Sequence, residues 1–519
     1  MRRRTFLAAG ASSLPLLLAP SVASATNQGT TSPWPVRQLR GLWITTVRNT
    51  DWPKPAGRSV DEQKKQYIGL LDAAQRNGIN AVFVHIRPQA DSFYPGAPEP
   101  WSKWLTGIPG KDPGYDALGF CLAEAQRRNL EFHAWFNPYR MGEYADPSQL
   151  PAGHPVRDHP DWSIAFDKQL YYNPGIPEAR RFVINAIMDA VHKYDVDGVH
   201  FDDYFYPYPV KDQPFPDQDT FARYGGGYSN LGDWRRSNIN RFVREVSERV
   251  ADTKPWVRFG ISPFGIWRNS ATDPVGSDTN GLQSYDEIYA DTRLWVKKGW
   301  LDYIAPQLYW KLDDAKAAYS RLLPWWAKTV AGTDTALYIG QAAYRLDLAA
   351  ADPVWRDPTE LVSHLDYNRS YHRVAGDIWF DTTHFLASSP NLSGALAANA
   401  YRHPALIPVS NRIHGSPPPP PSGLHANASA ATVALSWNRT VDKSTRYYAI
   451  YRFDAASPDR SSALGDGGSL LGTVRRNEQP PEYVDTTVDA GITYTYAVTA
   501  LDRSHRQSRP GPSISVTAR

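Results

Sequence analysis

The chain has 519 residues, 42% hydrophobic and 21% charged, the balance of a globular protein with room for one large domain and a smaller one. A formal net charge of +3, with no basic block beyond the N-terminus, gives nucleic acid no footing, and the single cysteine, Cys121, excludes an internal disulfide. The aromatic load is heavy, with Trp 18, Tyr 29 and Phe 18, and many of these rings must pack a core.

Residues 1–25 read as an export signal. Arg2-Arg-Arg-Thr-Phe-Leu7 precedes an apolar stretch ending at Leu18, and Ala23-Ser-Ala25 offers a small-residue cleavage site. The pattern resembles a twin-arginine signal, with an ordinary Sec signal as the alternative. The mature chain is expected to begin near Thr26 and to work outside the membrane, extracellular or associated with a bacterial cell wall. No cysteine lies near the cleavage point to take a lipid, and no later run reaches the roughly 20 apolar residues of a membrane span.

Residues 38–410 alternate apolar, strand-like runs with stretches of helical period. The runs are Arg40–Val47, Asn80–Ile86, Glu131–Phe136, Val196–Phe201, Val257–Ile261, Leu301–Ala305, Ala336–Ile339 and Asp377–Phe380. This repeated α/β rhythm predicts a (β/α)8 TIM barrel with long loops. Cys121 falls on the apolar face of a predicted helix around Leu118–Ala125, as a small buried residue. Residues 411–422 contain five consecutive prolines, Pro417 to Pro421, and read as a semi-rigid linker. Beyond it, residues 423–519 show short runs of period two, including Thr432–Trp437, Tyr447–Arg452, Thr493–Thr499 and Ser513–Thr517. They predict an all-β sandwich; Trp437 and the Gly491-Ile-Thr-Tyr-Thr-Tyr-Ala-Val-Thr-Ala pattern resemble a fibronectin type III domain. Without a cluster of titratable groups, this tail is expected to serve spacing or surface attachment.

In such barrels the site forms where strands run into the following loops. The most informative junction is Asp197-Gly-Val-His-Phe-Asp-Asp-Tyr-Phe-Tyr-Pro207, where a strand delivers two adjacent carboxylates, Asp202 and Asp203, into a cluster of rings. Adjacent buried carboxylates repel, which raises the pKa of one of them and suits it to act as an acid. Flat rings stack on the apolar faces of sugars, so the segment reads as the centre of a glycoside-cleaving site. His200 and Asp202 share one face of the strand, and Asp203 can join Asp202 in the cleft only if the chain bends at the strand end. Otherwise Asp203 caps a loop or pairs with an arginine. Other strand ends contribute Arg87, Trp135, Asn137, Tyr139, Tyr204, Trp267, Gln307, Tyr309, Trp310 and Asp381, the stacking faces and fixed polar groups that a multi-hydroxyl ligand needs. Packing under long loops accounts for part of this set equally well.

His85, His133 and His200 lie on neighbouring strands, a spacing open to a metal site. Strands five, six and seven end without His, Cys, Asp or Glu, and Asp381 with His384 after strand eight is a lesser candidate, so barrel histidines bonded to inward carboxylates are the preferred reading, with no metal and no cofactor. No phosphate loop or nucleophile elbow occurs.

Several segments together resemble the glycosyl-hydrolase-like family 10 barrel over roughly residues 38–400. They are Arg40-Gly-Leu-Trp-Ile-Thr-Thr-Val47 with Asn49-Thr-Asp-Trp-Pro53, His85-Ile-Arg-Pro-Gln-Ala-Asp91, Ala134-Trp-Phe-Asn-Pro-Tyr-Arg140, the Asp202–Asp203 junction, Gly260–Arg268 and Pro306-Gln-Leu-Tyr-Trp310. The resemblance implies a cell-envelope glycosidase acting on peptidoglycan glycan strands without stem peptides. Adjacent carboxylates further resemble acetamido-assisted hexosaminidases, in which the substrate's own 2-acetamido group attacks the anomeric carbon. On that pattern Asp202 orients the acetamido nitrogen, Asp203 protonates the leaving oxygen and Tyr309 binds the acetamido oxygen. Arg87, Trp135, Asn137, Tyr139, His200, Tyr204, Trp267, Gln307, Trp310 and Asp381 would hold sugars. Two other readings stay open: hydrolysis of an amino-sugar exopolysaccharide, and a non-catalytic carbohydrate-binding barrel. The expected partner is a polysaccharide, bound by a monomer with no membrane span.

Overall fold

The computed structural model describes residues 35–348, 350–387, 389–429, 431–454 and 464–519; the expected export signal lies outside them. Eight parallel strands close into a barrel: β1 Leu39–Ile44, β2 Ala81–Arg87, β3 Glu131–Phe136, β4 Gly198–Phe201, β5 Arg258–Ile261, β6 Tyr303–Ile304, β7 Ala336–Ala342 and β8 Val374–Phe380. Their order around the ring is β1-β8-β7-β6-β5-β4-β3-β2. This is the predicted TIM barrel, in which successive strands sit side by side and the helices between them form an outer layer. Helix boundaries follow local chemistry. Ser59 and Glu62 form a reciprocal capping box at the start of Val60–Arg76, Asp116 caps Ala117–Arg127, and Asn230 caps Leu231–Thr253. Cys121 is buried within Ala117–Arg127.

Strand bounds depart from the sequence expectation everywhere but in the third strand; the first ends at Ile44 and the fourth begins at Gly198, the second shifts by a residue and the fifth starts a residue later. The sixth strand shrinks to Tyr303–Ile304 because Pro306 has no N–H for the ladder, which resumes as single bridges from Gln307 to Phe264 and to Gly340. The seventh gains Gly340-Gln341-Ala342 and the eighth gains Val374-Ala375-Gly376. Gln341 and Asp377 interrupt the apolar pattern there, yet they are buried and satisfied: Gln341 Nε2 donates to Asp377 Oδ1 at 2.9 Å, and Asn368 Nδ2 donates to the same oxygen at 2.8 Å.

The barrel interior alternates large polar rings with glycines. Gly198 pairs with His133, and Gly260 pairs with Tyr303. A Cβ on Gly198 would lie 2.1 Å from His133 Nδ1. Gly198→Ala is therefore expected to destabilise the barrel by about 2 kcal/mol or more, through overpacking against an immobile ring; urea unfolding measures it.

The C-terminal sandwich carries β9 Ser422–Ala428, β10 Val433–Asn438, β11 Thr445–Asp454, β12 Leu470–Arg475, β13 Glu482–Asp485, β14 Thr493–Asp502 and β15 Ile514–Thr517. One sheet has the order β9-β10-β13 and the other β12-β11-β14-β15, packed over Leu435, Trp437, Tyr448, Ile450, Tyr496 and Val498. The proline run does not hold this domain away from the barrel. Pro418 and Pro421 are buried, and the sandwich docks on the barrel end opposite the loops that follow the C-terminal ends of the strands. Asp195 accepts from Arg446 and Arg503 at 2.6 Å each, and Arg412 reaches Asp302 at 3.0 Å. His505 Nε2 lies 2.6 Å from Glu131 Oε1, the first residue of β3. The expectation of a spacer is corrected by these contacts, whose long-range partners leave no local mark in the sequence.

Candidate functional site

A cavity of about 550 Å³ opens at the C-terminal end of the barrel. β4 stops at Phe201, and the chain turns at once: Phe205 N donates to Asp203 O, and Tyr204 N donates to Asp202 Oδ1 at 3.2 Å. That turn supplies the bend needed for Asp202 and Asp203 to face the same cavity, and both line it while only 4% exposed.

The two carboxylates have different surroundings. Asp202 receives three N–H donors: Trp135 Nε1 at 3.1 Å, Asn137 Nδ2 bifurcated over both oxygens at 3.2 Å, and Tyr204 N. Asp203 receives the Tyr208 hydroxyl on one oxygen and Gln307 Nε2 at 3.1 Å on the other. Burial, followed by the charge of Asp203, pushes Asp202 up to about 6, although Arg140, Tyr204 N and Asn137 pull the other way. Burial raises Asp203 as well, opposed by Tyr208 and Gln307. The pair titrates as a unit and keeps a proton into the mildly acidic range.

Rings form the walls. Trp43, Trp135, Tyr204, Tyr208, Phe264, Tyr309, Trp310, Tyr344 and Phe380 all line the cavity. Trp135 stacks on His85 with centroids 3.9 Å apart, which locks its plane while its N–H serves Asp202. Tyr309 lies near-parallel to Phe380 at 6.3 Å, and Trp310 meets Phe264 edge-on at 5.5 Å. Among the described cavity-lining residues the only other carboxylate is Glu143, tied to Arg48 at 2.6 Å and Lys103 at 3.3 Å. These cations outweigh its partial burial and hold it below its usual range.

Of the residues singled out by sequence, the fold brings Trp135, Asp202, Asp203, Tyr204, Gln307, Tyr309 and Trp310 into this cleft. The others are placed elsewhere. Arg87 is buried in a bidentate pair with Glu99 (2.5 and 2.6 Å) and donates to the carbonyls of Asn137 and Pro138. It holds the loop that carries Asn137, which in turn is fully buried and positions Asp202. Tyr139 is buried against Phe242 at 5.2 Å, under the loop and away from the cavity. Trp267 packs on Trp325 and donates to Asp291 at 3.1 Å. Asp381 caps a short turn by accepting from His384 N and faces His384 Nδ1 at 2.6 Å. His200 lies beneath the floor, accepting from Trp43 Nε1 at 3.0 Å and meeting Ser262 Oγ at 3.0 Å. Most of these polar and aromatic residues are turned inward by a partner distant in sequence, whereas Asp381 is held by the nearby His384. Tyr208, Trp43, Arg345 and Phe380 line the cleft without being singled out by their sequence positions. Tyr208 is the nearest to legible, one residue beyond the Tyr204-Phe-Tyr-Pro run.

The three barrel histidines differ from the expectation of carboxylate partners. Only His133 has one, Glu131 Oε2 at 3.2 Å; its Nδ1 and His200 Nδ1 meet the Tyr303 hydroxyl at 3.0 and 3.1 Å. His85 makes no hydrogen bond through either ring nitrogen and is held by stacking. Burial lowers all three below the usual range, so they are neutral groups that pack the barrel. Among the described residues no group of three or more His, Cys, Asp or Glu is arranged to hold a metal, and no helix is long and apolar enough to cross a membrane.

The chain is similar to known glycosyl hydrolases. The family model described as glycosyl hydrolase-like 10 matches residues 38–357, short of the 400 suggested by the motifs. The glycosyl hydrolase YngK of Bacillus subtilis is 44% identical over 480 residues, 91% of this chain and 92% of its own. The glycosyl hydrolase DigH of Escherichia coli K12 is 40% identical over 383 residues, 70% of this chain and 86% of its own. Among solved structures, the PgaB (BpsB) glycoside hydrolase domain from Bordetella bronchiseptica is 13% identical with a TM-score of 0.45, covering 70% of this chain and 98% of that one.

Proposed function

The chain belongs to the glycosyl hydrolase-like 10 family, and we propose that it is an exported glycosidase that cleaves an amino-sugar polysaccharide, peptidoglycan glycan without stem peptides, through Asp202 and Asp203. The observation that carries this reading is the adjacent, buried carboxylate pair on the floor of an aromatic-walled cleft. A conventional two-carboxylate mechanism needs a second acid about 5–10 Å from the first on a separate element. Glu143, the only other described carboxylate in the cleft, is neutralised by Arg48 and Lys103. The 2-acetamido group of the substrate then supplies the nucleophile.

The donor pattern divides the labour. Three N–H groups converge on Asp202 and favour its anion, leaving one acceptor position for the acetamido N–H. Asp203, with two donors, has room for the pair's remaining proton. In the first step the acetamido carbonyl oxygen attacks the anomeric carbon, and Asp203 gives its proton to the departing glycosidic oxygen. In the second, Asp203 takes a proton from the water that opens the bicyclic intermediate. Tyr309 lines the cleft and its hydroxyl has no hydrogen-bond partner among the described residues, so it is free to donate to the acetamido oxygen as charge develops. Tyr309→Phe is expected to lower kcat roughly 10²-fold with little change in KM, as loss of a donor used mainly in the transition state should.

The test is incubation of residues 26–519 with peptide-free peptidoglycan glycan, reading soluble products by mass spectrometry. Oligosaccharides with intact 2-acetamido sugars are expected. Binding without products would replace the hydrolase by a carbohydrate-binding barrel. Equal cleavage of 2-acetamido and 2-hydroxy substrates would remove the acetamido-assisted mechanism.

A further inference from the structure

The charges around the cleft are unevenly paired. Arg48 is bound to Glu143, but two other guanidiniums that line the cavity, Arg140 and Arg345, have no carboxylate within ion-pair distance among the described residues. Arg140 follows β3 and lies over the Tyr204 ring at 4.9 Å, and its charge acts on Asp202 and Asp203. It balances the catalytic pair. Arg345 follows β7, four places from β3 in the ring of eight, so it stands on the opposite wall. No ion pair balances it there among the described residues, although its charge acts on the Tyr344 hydroxyl and, more weakly, on Asp352. The acids near it in sequence are engaged elsewhere: Asp347 faces His384 Nε2 at 2.8 Å, and Asp352 faces Lys311 Nζ at 3.2 Å. Its Nε is buried without a hydrogen-bond partner, and its guanidinium is held 5.7 Å from the Tyr344 ring and 5.9 Å from the Trp355 ring.

A guanidinium set between two rings, half-buried and without an ion pair, has incurred desolvation that no direct counter-ion offsets. Its planar fork matches a carboxylate bidentately, and the neighbouring faces of Tyr344, Tyr309 and Phe380 provide a stacking wall for the sugar that carries it. We propose that Arg345 binds a carboxylate borne on a sugar of the substrate, which makes the preferred polymer an acidic amino-sugar glycan and not a neutral one. This inference rests on the cleft being a glycan site. The carboxylate belongs either to a lactyl ether, as in peptidoglycan glycan, or to a uronic acid.

Binding is measured by calorimetry with Asp203→Asn, which separates recognition from cleavage. The ligands are peptide-free peptidoglycan oligosaccharides, the same oligosaccharides with their lactyl carboxyls reduced to alcohols, and an N-acetylglucosamine–glucuronate copolymer. One of the two carboxylated glycans is expected to bind about 10- to 100-fold more tightly than the reduced one, the range of a charge-assisted hydrogen-bond pair. Which one it is identifies the source of the carboxylate. Adding Arg345→Gln should abolish that difference, Arg345→Lys should keep part of it, and rising salt should shrink it; an unchanged melting temperature shows that the variants fold. Equal affinity for carboxylated and reduced glycans, an undiminished preference in Arg345→Gln, or no binding of any of the three overturns the proposal. Binding with the predicted preference but no cleavage by the wild type would sink the hydrolase reading and leave Arg345 in place.

Discussion

Asp203→Asn is expected to lower kcat/KM on a 2-acetamido glycan by about 10³-fold, and Asp202→Asn by a similar factor, because each removes one half of a proton-and-anion pair. The two variants should differ in pH behaviour. In the wild type, kcat/KM needs Asp202 ionised and Asp203 protonated, so it falls on the acid side as Asp202, pushed up to about 6 by burial and the neighbouring charge, takes up a proton. On the alkaline side it falls as Asp203, raised above the usual carboxylate range by burial, gives up its proton. Stability should move in the opposite direction to activity. A carboxylate raised from 3.8 to about 6 penalises the folded state only where it is ionised, so the cost is absent below pH 3.8 and complete above about 6. Asp202→Asn relieves it, adding up to about 3 kcal/mol near pH 8 before the weaker hydrogen bonds from Trp135, Asn137 and Tyr204 are subtracted, and nothing near pH 3.5. Denaturant melts of both proteins at the two pH values test this. A variant that is inactive and no more stable at pH 8 would remove the claim that the pair is held against its electrostatic preference.

The parts of this arrangement that are legible in the sequence are those specified by short range. β3 is legible to the residue, Glu131–Phe136, because Asn129 before it and Asn137-Pro138 after it are strong breakers. Asp202 and Asp203 stand out because adjacency at a strand end is itself a sequence property. Side-chain direction is less accessible. Arg87, Tyr139, Trp267 and Asp381 occupy strand ends as predicted, but Glu99, Phe242, Trp325 and His384 decide which way they point. Three of those partners are reached only across a loop or a helix. Arg345 stays hidden for the complementary reason: its significance lies in an ion pair that it does not make, although Asp347 and Asp352 are close in sequence. The sandwich is legible as a fold through its period of two, whereas its docking depends on single polar contacts more than 100 residues apart.

Those contacts carry the second large effect. Glu131 is 2% exposed and sits between Arg258, His133 and His505, so barrel and sandwich share one buried anion. Burial alone would raise it, but the charges of Arg258 and His505 and the hydrogen bonds from both histidines hold it well below the usual glutamate range. Glu131→Gln leaves Arg258, 3% exposed, without its counter-ion, and such a half-broken buried pair costs about 3–5 kcal/mol. A group with a depressed pKa contributes above its unfolded value and loses that contribution as pH falls. The gap between wild type and Glu131→Gln should therefore be full at pH 7 and narrow below about pH 4.5. Denaturation at both values measures it. Deleting residues 411–519 takes His505 away and also exposes Asp195 and Asp302, so the isolated barrel should unfold at lower denaturant than the full chain. If the sandwich were a tethered module, barrel unfolding would be unchanged by its removal, and the buried His505–Glu131 contact would carry no weight. From Glu131 the hydrogen-bonded rings continue through His133, Tyr303 and His200 to Ser262, which lines the cleft. The contact that seats the sandwich is thus continuous with the layer that supports the floor of the cleft, and damage at one end of the barrel should loosen the other.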